Sequence, residues 1–274
     1  MTATAPPFTY FGGKTRLADR IAAKFPTHAH YVEPFTGSLA VLMAKRPSRM
    51  ETINDLDGDL MTFWRVLRDE PVELARACAL TPHSRAEFRQ AYDLAGCTDL
   101  ERARRVWCRL SQSRTGTLLN TGWRFHIDPV GSSIGMPGYL DGYVGRMAAA
   151  AERLHRVSLE CRPGIEAITA YGAQPDVLLY VDPPYLGSTR ASSGYRHEMR
   201  SDTEHVELLD ALMDCAAAVV LSGYASDLYD TALADWDRVE MATSTGQGGT
   251  RQERTEILWS NRVITTSDLF GGGA

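Results

Sequence analysis

The 274-residue chain has no apolar run approaching the roughly 20 residues that a membrane span needs, and its opening, MTATAPPFTY, lacks the basic-then-apolar pattern of a secretory leader. A cytoplasmic protein with no membrane partner is expected. There is no Cys-x-x-Cys pair: Cys78, Cys97, Cys108, Cys161 and Cys215 are scattered and odd in number, which argues against a disulfide framework and a zinc site and predicts reduced thiols. No cysteine follows a proline, so the usual signature of enzymes that attack a cytosine ring with a thiolate is missing. His28, His30, His83, His126, His155, His197 and His205 show no metal-ligand spacing, so no metal and no histidine catalysis are expected. Internal repeats, low-complexity tracts and coiled-coil heptads are also lacking, which excludes solenoids and long zippers.

What is present is an ordinary globular composition, 44% apolar, with length for about two domains. The net charge of −5 is unevenly spread, since residues 70–160 hold 12 Arg, no Lys and 10 acids. Positive charge is densest between Glu101 and His126, where Arg102, Arg104, Arg105, Arg109, Arg114 and Arg124 face a single acid and Trp107, Trp123 and Phe125 are interleaved. A solvated helix face and a nucleic-acid surface both fit that pattern.

The strand HYVEPF, closed by Pro34, precedes the helical spacing of TGSLAVLMAKR; METIND and LDGDLMTFWRVLRD repeat the strand-then-helix order. Such alternation predicts a parallel sheet covered by helices. From about Pro71 to Gly164 the character shifts to Arg- and Ala-rich helices, a hairpin around Asn120-Thr121-Gly122 and the loose segment PVGSSIGMPG. A helix from Tyr139 to about Arg156 leads into VSLECR, after which VLLYVDPPY, a helix from about Thr203, AAVVLSGY and a closing pair near VEMATS and RTEILWSN resume the sheet. The expected organisation is an α/β domain split between residues 1–68 and 165–265, a mainly helical insertion over 69–164 carrying the hairpin, and a flexible tail over 266–274.

In open α/β sheets ligands sit beyond the carboxyl ends of the strands, and Glu33 to Gly37, Asn54, Asp55, Asp182 to Tyr185 and Ser222 to Tyr224 all fall there. Gly37 lies 18 residues before Asp55, the spacing of a glycine turn and a ribose-binding acid. EPFTGSLA lacks the G-x-G-x-x-G that cradles a pyrophosphate, so a nucleoside without phosphates fits better than a dinucleotide, and S-adenosylmethionine is the commonest of that kind. FGGKT at 11–15 is not a P-loop, because the required glycine is replaced by Phe8. DLDGDL at 55–60 is not a calcium loop, because Gly58 is misplaced and Val66 stands where a bidentate acid is needed; Asp57 and Asp59 read as helix-start residues.

LLYVDPPYLG ends a run of strand-formers on Asp182, and its two prolines stop the strand and stiffen the acid beside a free carbonyl. Two acceptors side by side form a receptor for an –NH2 group such as the exocyclic amine of adenine or cytosine, and Tyr185 can stack on a flat base. A Pro-Pro turn with a capping Asp would account for the tetrapeptide alone.

TYFGGK (9–14), YVEPFTGS (31–38), INDLDGDL (53–60) and YVDPPY (180–185), in that order, together resemble the Dam-like class of adenine-specific (N6) DNA methyltransferases, and SGY (222–224) and RTEILWSN (254–261) extend the resemblance. It implies a Rossmann-like S-adenosylmethionine-dependent methyltransferase sheet with an inserted target-recognition domain. The implied reaction moves a methyl group from S-adenosylmethionine to N6 of an adenine flipped out of double-stranded DNA. The same chemistry on cytosine N4 and a catalytically silent DNA-binding protein are the alternatives. For the cofactor the resemblance implicates Tyr10, Gly12, Gly13, Lys14, Glu33, Pro34, Phe35, Gly37, Asp55 and Asp182, and for catalysis Asp182, Pro183, Pro184 and Tyr185. For DNA it points to Arg114, Asn120, Trp123 and Arg124, with Arg190 and Arg196 on a polar loop after Tyr185 that is expected to close over the flipped base. Monomer or weak-dimer action suffices, and a cognate restriction nuclease is left open.

Overall fold

The computed structural model describes residues 4–125, 127, 131, 134–186, 194–197, 199, 201–247 and 250–265, with backbone only between 243 and 254. In chain order its elements are α1 (Ala18–Ala22), β1 (His30–Glu33), α2 (Ala40–Ala44), β2 (Met50–Asn54), α3 (Gly58–Asp69), α4 (Pro71–Ala79), α5 (Arg85–Gln90), α6 (Asp99–Gln112), α7 (Gly135–Val144), α8 (Met147–Leu154), β3 (Ser158–Glu160), α9 (Gly164–Gly172), β4 (Val177–Val181), α10 (Asp202–Met213), β5 (Ala218–Gly223), α11 (Asp227–Ala232), β6 (Asp237–Gln247) and β7 (Thr250–Ser260).

The strands form one seven-stranded sheet in the order β3-β2-β1-β4-β5-β7-β6. The first five run parallel, and β7 is antiparallel to both β5 and β6. Every residue of β4 and β5 is buried, as a strand covered on both faces requires. From β1 the chain winds outward through β2 to β3, then returns to β4 on the other side of β1 and winds toward β5. The strand order therefore reverses between β1 and β4, and a crevice opens there beyond the carboxyl ends.

Helix boundaries follow local chemistry. Asp57 caps α3 by accepting from Asp59 N and Leu60 N, the helix-start role its sequence suggested. Ser201 and Glu204 close a capping box on α10. The single helix expected between Tyr139 and Arg156 is two, broken at Gly145 and Arg146.

The predicted insertion over 69–164 needs two corrections. Its last segment, β3, pairs with β2 and belongs to the sheet. Its helices have no core of their own: Leu74, Trp107, Leu110, Leu140, Met147 and Leu154 share one apolar cluster with Tyr31 of β1 and Ile53 of β2. The expected hairpin reduces, among the described residues, to a single antiparallel bridge, Ser113 to Trp123, supported by Arg114 N–H to Gly122 O (3.1 Å) and Arg124 N–H to Gln112 O (2.7 Å). The tail 266–274, Arg190 and most of the loop after Tyr185 lie outside the described residues.

Candidate active site

A cavity of about 280 Å³ occupies the switch point. Nine of the ten residues expected at the cofactor line it, namely Tyr10, Gly12, Gly13, Lys14, Glu33, Phe35, Gly37, Asp55 and Asp182, and Pro34 alone does not. The buried Asn54 side chain shows what holds the rim together. Its amide donates to Pro34 O (2.9 Å) and Arg162 O (3.0 Å), and its oxygen accepts from Arg162 N–H, so the ends of β1, β2 and β3 are tied to one side chain. Asn54 appeared in the sequence only as a strand end.

Along the floor, Gly37 has φ +47°, and a Cβ there would stand 3.0 Å from the Tyr10 ring. Its N–H donates to Asp55 Oδ2 (3.1 Å), and Asp57 N–H donates to Asp55 Oδ1 (3.0 Å). Two residues later Leu39 holds φ +56° just before α2, a left-handed conformation that strains a residue with a side chain. Burial pushes the Asp55 carboxyl up to about 6 against the pull of those two backbone donors. Burial likewise pushes Glu33 up to about 8, although the Tyr31 hydroxyl donates to it at 2.6 Å. Phe35 lies against Gly164, where a Cβ would be 2.5 Å from the ring.

Asp182 stands where β4 ends. Two donors reach its Oδ1, Lys14 Nζ at 2.8 Å and Ser222 Oγ at 2.9 Å, and the Tyr185 hydroxyl oxygen lies 3.1 Å from it. Burial pulls the Lys14 ammonium down, but Asp182 and Glu256 beside it outweigh that and hold it above the usual lysine range. Tyr185 and Pro183 do not line the cavity, whereas Pro184 does. The Tyr185 ring carries Lys14 Nζ 4.7 Å from its centroid and meets Tyr224 edge-on at 4.8 Å, while its hydroxyl donates to Glu256 Oε1. Glu256, buried on β7, escaped the sequence reading; its only signal was its place within RTEILWSN.

Four of the expected DNA residues, Arg114, Asn120, Trp123 and Arg124, lie on or beside the loop closed by the Ser113–Trp123 bridge. Arg114 and Asn120 are exposed in the segment that follows α6. Trp123 stacks on His83 (4.3 Å, 20°) with Arg85 over its ring at 4.8 Å, and the Arg124 guanidinium lies over Tyr139 at 5.3 Å. Arg196 is drawn instead to the start of α3, where it pairs with Asp57 (3.2 Å) and Asp59 (2.7 Å) and lines the cavity. The arginine-rich run is mostly internal structure. Arg102 pairs with Asp59, Arg104 with Glu87 and Glu101, and Arg105 with Glu101, while Arg109 is buried and donates to Leu118 O. Trp107 is fully buried in the core, and its indole donates to Pro7 O.

The residues suit a nucleoside cofactor. A half-buried acid sits 18 positions after a glycine that no other residue could replace without meeting Tyr10, and aromatic rings flank the space. A reversed parallel sheet with that crevice and a strand-ending Asp-Pro-Pro-Tyr beside it defines a Rossmann-like methyltransferase. More narrowly, the chain belongs to the D12 class of N6 adenine-specific DNA methyltransferases, whose family model matches residues 10–99 and 146–244. It is a DNA adenine-N6 methyltransferase that uses S-adenosylmethionine, and the family decides between the adenine and cytosine amines that the residues alone left open.

A Type II methyltransferase, M1.LlaDCHI of Lactococcus lactis subsp. cremoris, is 28% identical over 276 residues, covering 93% of this chain and 95% of the relative. Among solved structures, precorrin 8w decarboxylase from Methanobacterium thermoautotrophicum aligns over 91% of this chain and 90% of its own at 10% identity and TM-score 0.40. An rRNA methylase from Streptococcus thermophilus aligns over 90% and 96% at 9% identity and TM-score 0.38. At those values the fold rests on the strand order and the family. No described helix is long and apolar enough to cross a membrane, and no described group of side chains could hold a metal ion.

Proposed function

We propose that Asp182 and the Pro183 carbonyl accept the two hydrogens of the adenine N6 amine while Tyr10, Phe35, Gly37 and Asp55 hold S-adenosylmethionine in the switch-point cavity. The observation that carries this reading is the convergence of Lys14 and Ser222, with the Tyr185 hydroxyl oxygen beside them, on one oxygen of Asp182 at the cavity wall. The carboxylate is pinned through Oδ1, and Oδ2 is the acceptor left for a substrate amine. Bound S-adenosylmethionine supplies an electrophilic methyl group. Accepting the amine hydrogens directs the nitrogen lone pair toward that methyl, so the chain contributes positioning and preorganised acceptors more than a strong base. As the N–C bond formed, the S–CH3 bond would break with its electron pair left on the sulfur as a neutral thioether, and the surplus proton on N6 would leave toward Asp182 Oδ2.

The reactive amine lies inside a stacked duplex, so the base must be extruded at a cost of a few kcal/mol. Tyr185 offers the ring against which it would stack. Arg114, Asn120, Trp123 and Arg124 would meet the duplex, and a monomer is sufficient for the reaction. The name of the Lactococcus relative supports a restriction-modification role.

The test is methyl transfer from labelled S-adenosylmethionine to unmethylated duplex DNA, with modified-base sequencing of the product. Wild type should place 6-methyladenine within one short sequence. Asp182→Ala should lose about 10²- to 10³-fold in kcat and still bind cofactor by calorimetry. Full turnover by that variant would overturn the assignment.

A further inference from the structure

We propose that Glu256 is a positioning residue for methyl transfer, taking the Tyr185 hydroxyl hydrogen so that Asp182 keeps acceptor capacity for the target amine. The inference rests on the role of Asp182 proposed above. Glu256 lies on the face of β7 that also carries Leu258, and Leu258 belongs to the main apolar cluster. It is 3% exposed. A carboxylate in such a row costs several kcal/mol unless paired, and its partners come from two distant segments, Lys14 of FGGK at 3.6 Å and Tyr185 of DPPY. Burial raises its carboxyl, with Lys14 opposing.

Hydrogen counting gives the arrangement its consequence. A phenol has one hydrogen. The Tyr185 oxygen is 3.1 Å from Asp182 Oδ1 and closer still to Glu256 Oε1, so the hydrogen belongs to Glu256. The Lys14 ammonium has three hydrogens for three acceptors, Asp182 Oδ1 (2.8 Å), Gly12 O (3.1 Å) and Glu256 Oε1 (3.6 Å), so it serves them without competition. With Glu256 gone, the phenolic hydrogen turns to Asp182. That change loads the acid that must receive the amine and leaves untouched the floor of the cavity formed by Gly37 and Asp55.

Steady-state methylation assays on Glu256→Ala and Glu256→Gln, with Asp182→Ala alongside, test this. Glu256→Ala should lose about tenfold or more in kcat while KM for S-adenosylmethionine stays within about threefold. Glu256→Gln, which keeps an acceptor for the phenol but no charge for Lys14, should fall between. Adding Tyr185→Phe to Glu256→Ala removes the diverted hydrogen, so the double variant should be no slower than Glu256→Ala alone. Wild-type kcat in both Glu256 variants, or losses that multiply in the double variant, would overturn the proposal. If Glu256→Ala does not fold, the near-isosteric Glu256→Gln decides by the same criterion. An active Asp182→Ala would sink the reading of Asp182 itself, whereas an inactive Asp182→Ala beside fully active Glu256 variants sinks only the part given to Glu256.

Discussion

Glu33 ends β1 facing the crevice, and its chemistry is governed by burial. Its carboxyl rises to about 8 in the folded protein, so the stability it contributes is complete below the ordinary glutamate value and is lost as pH rises through about 8. Glu33→Gln removes that liability. Thermal melts should show the variant gaining on wild type by several degrees between about pH 5 and about pH 9, and a pH-independent difference would refute the assignment. Asp55 offers a second test at this scale. Both of its oxygens already accept a backbone N–H from the loops that shape the cavity, and the proposed ribose contact adds to them. Losing hydrogen bonds to a charged group costs about 1.5–3 kcal/mol. Asp55→Ala should therefore weaken S-adenosylmethionine binding roughly 10- to 100-fold by calorimetry.

Helix α9 begins where it does because the chain must pass under Phe35. Gly164 opens the helix, and any Cβ there would drive into the Phe35 ring. Gly164→Ala should cost about 1–3 kcal/mol in urea denaturation and also lower cofactor affinity, since Phe35 lines the cavity. Loss of stability with unchanged affinity would show that Phe35 does not touch the cofactor. Helix α6 makes the opposite point. Its apolar face, with Val106, Trp107 and Leu110, is buried against α3, and its arginines find acids from α3, α5 and its own first turn. In a stretch of six arginines with one acid of its own, three are thereby paired, two of them with acids supplied from elsewhere in the chain.

For the whole molecule that redistribution of charge becomes a statement about DNA binding. Arginines that neutralise phosphates make affinity fall with salt, by a slope of about 0.9 per phosphate, and arginines consumed in ion pairs do not. Arg114→Gln should reduce the salt slope of duplex binding by about one while leaving the melting temperature alone. Arg104→Gln should do the reverse, destabilising the fold through its pairs with Glu87 and Glu101 without changing the slope. Fluorescence titrations at several salt concentrations separate the two. By itself the sequence determined the strand-and-helix alternation, the glycine-acid spacing at Gly37 and Asp55, and the proline-stiffened Asp182, because all three are local: periodicity, backbone freedom and ring closure act within a few residues. It could not determine that β3 joins the sheet, that Arg196 turns to Asp57 and Asp59, that Trp107 is core, or that Glu256 reaches Lys14 and Tyr185. Those were decided only by the tertiary structure, because the partner of a buried charge or ring is chosen by which distant segments the parallel crossovers bring to the same edge of the sheet.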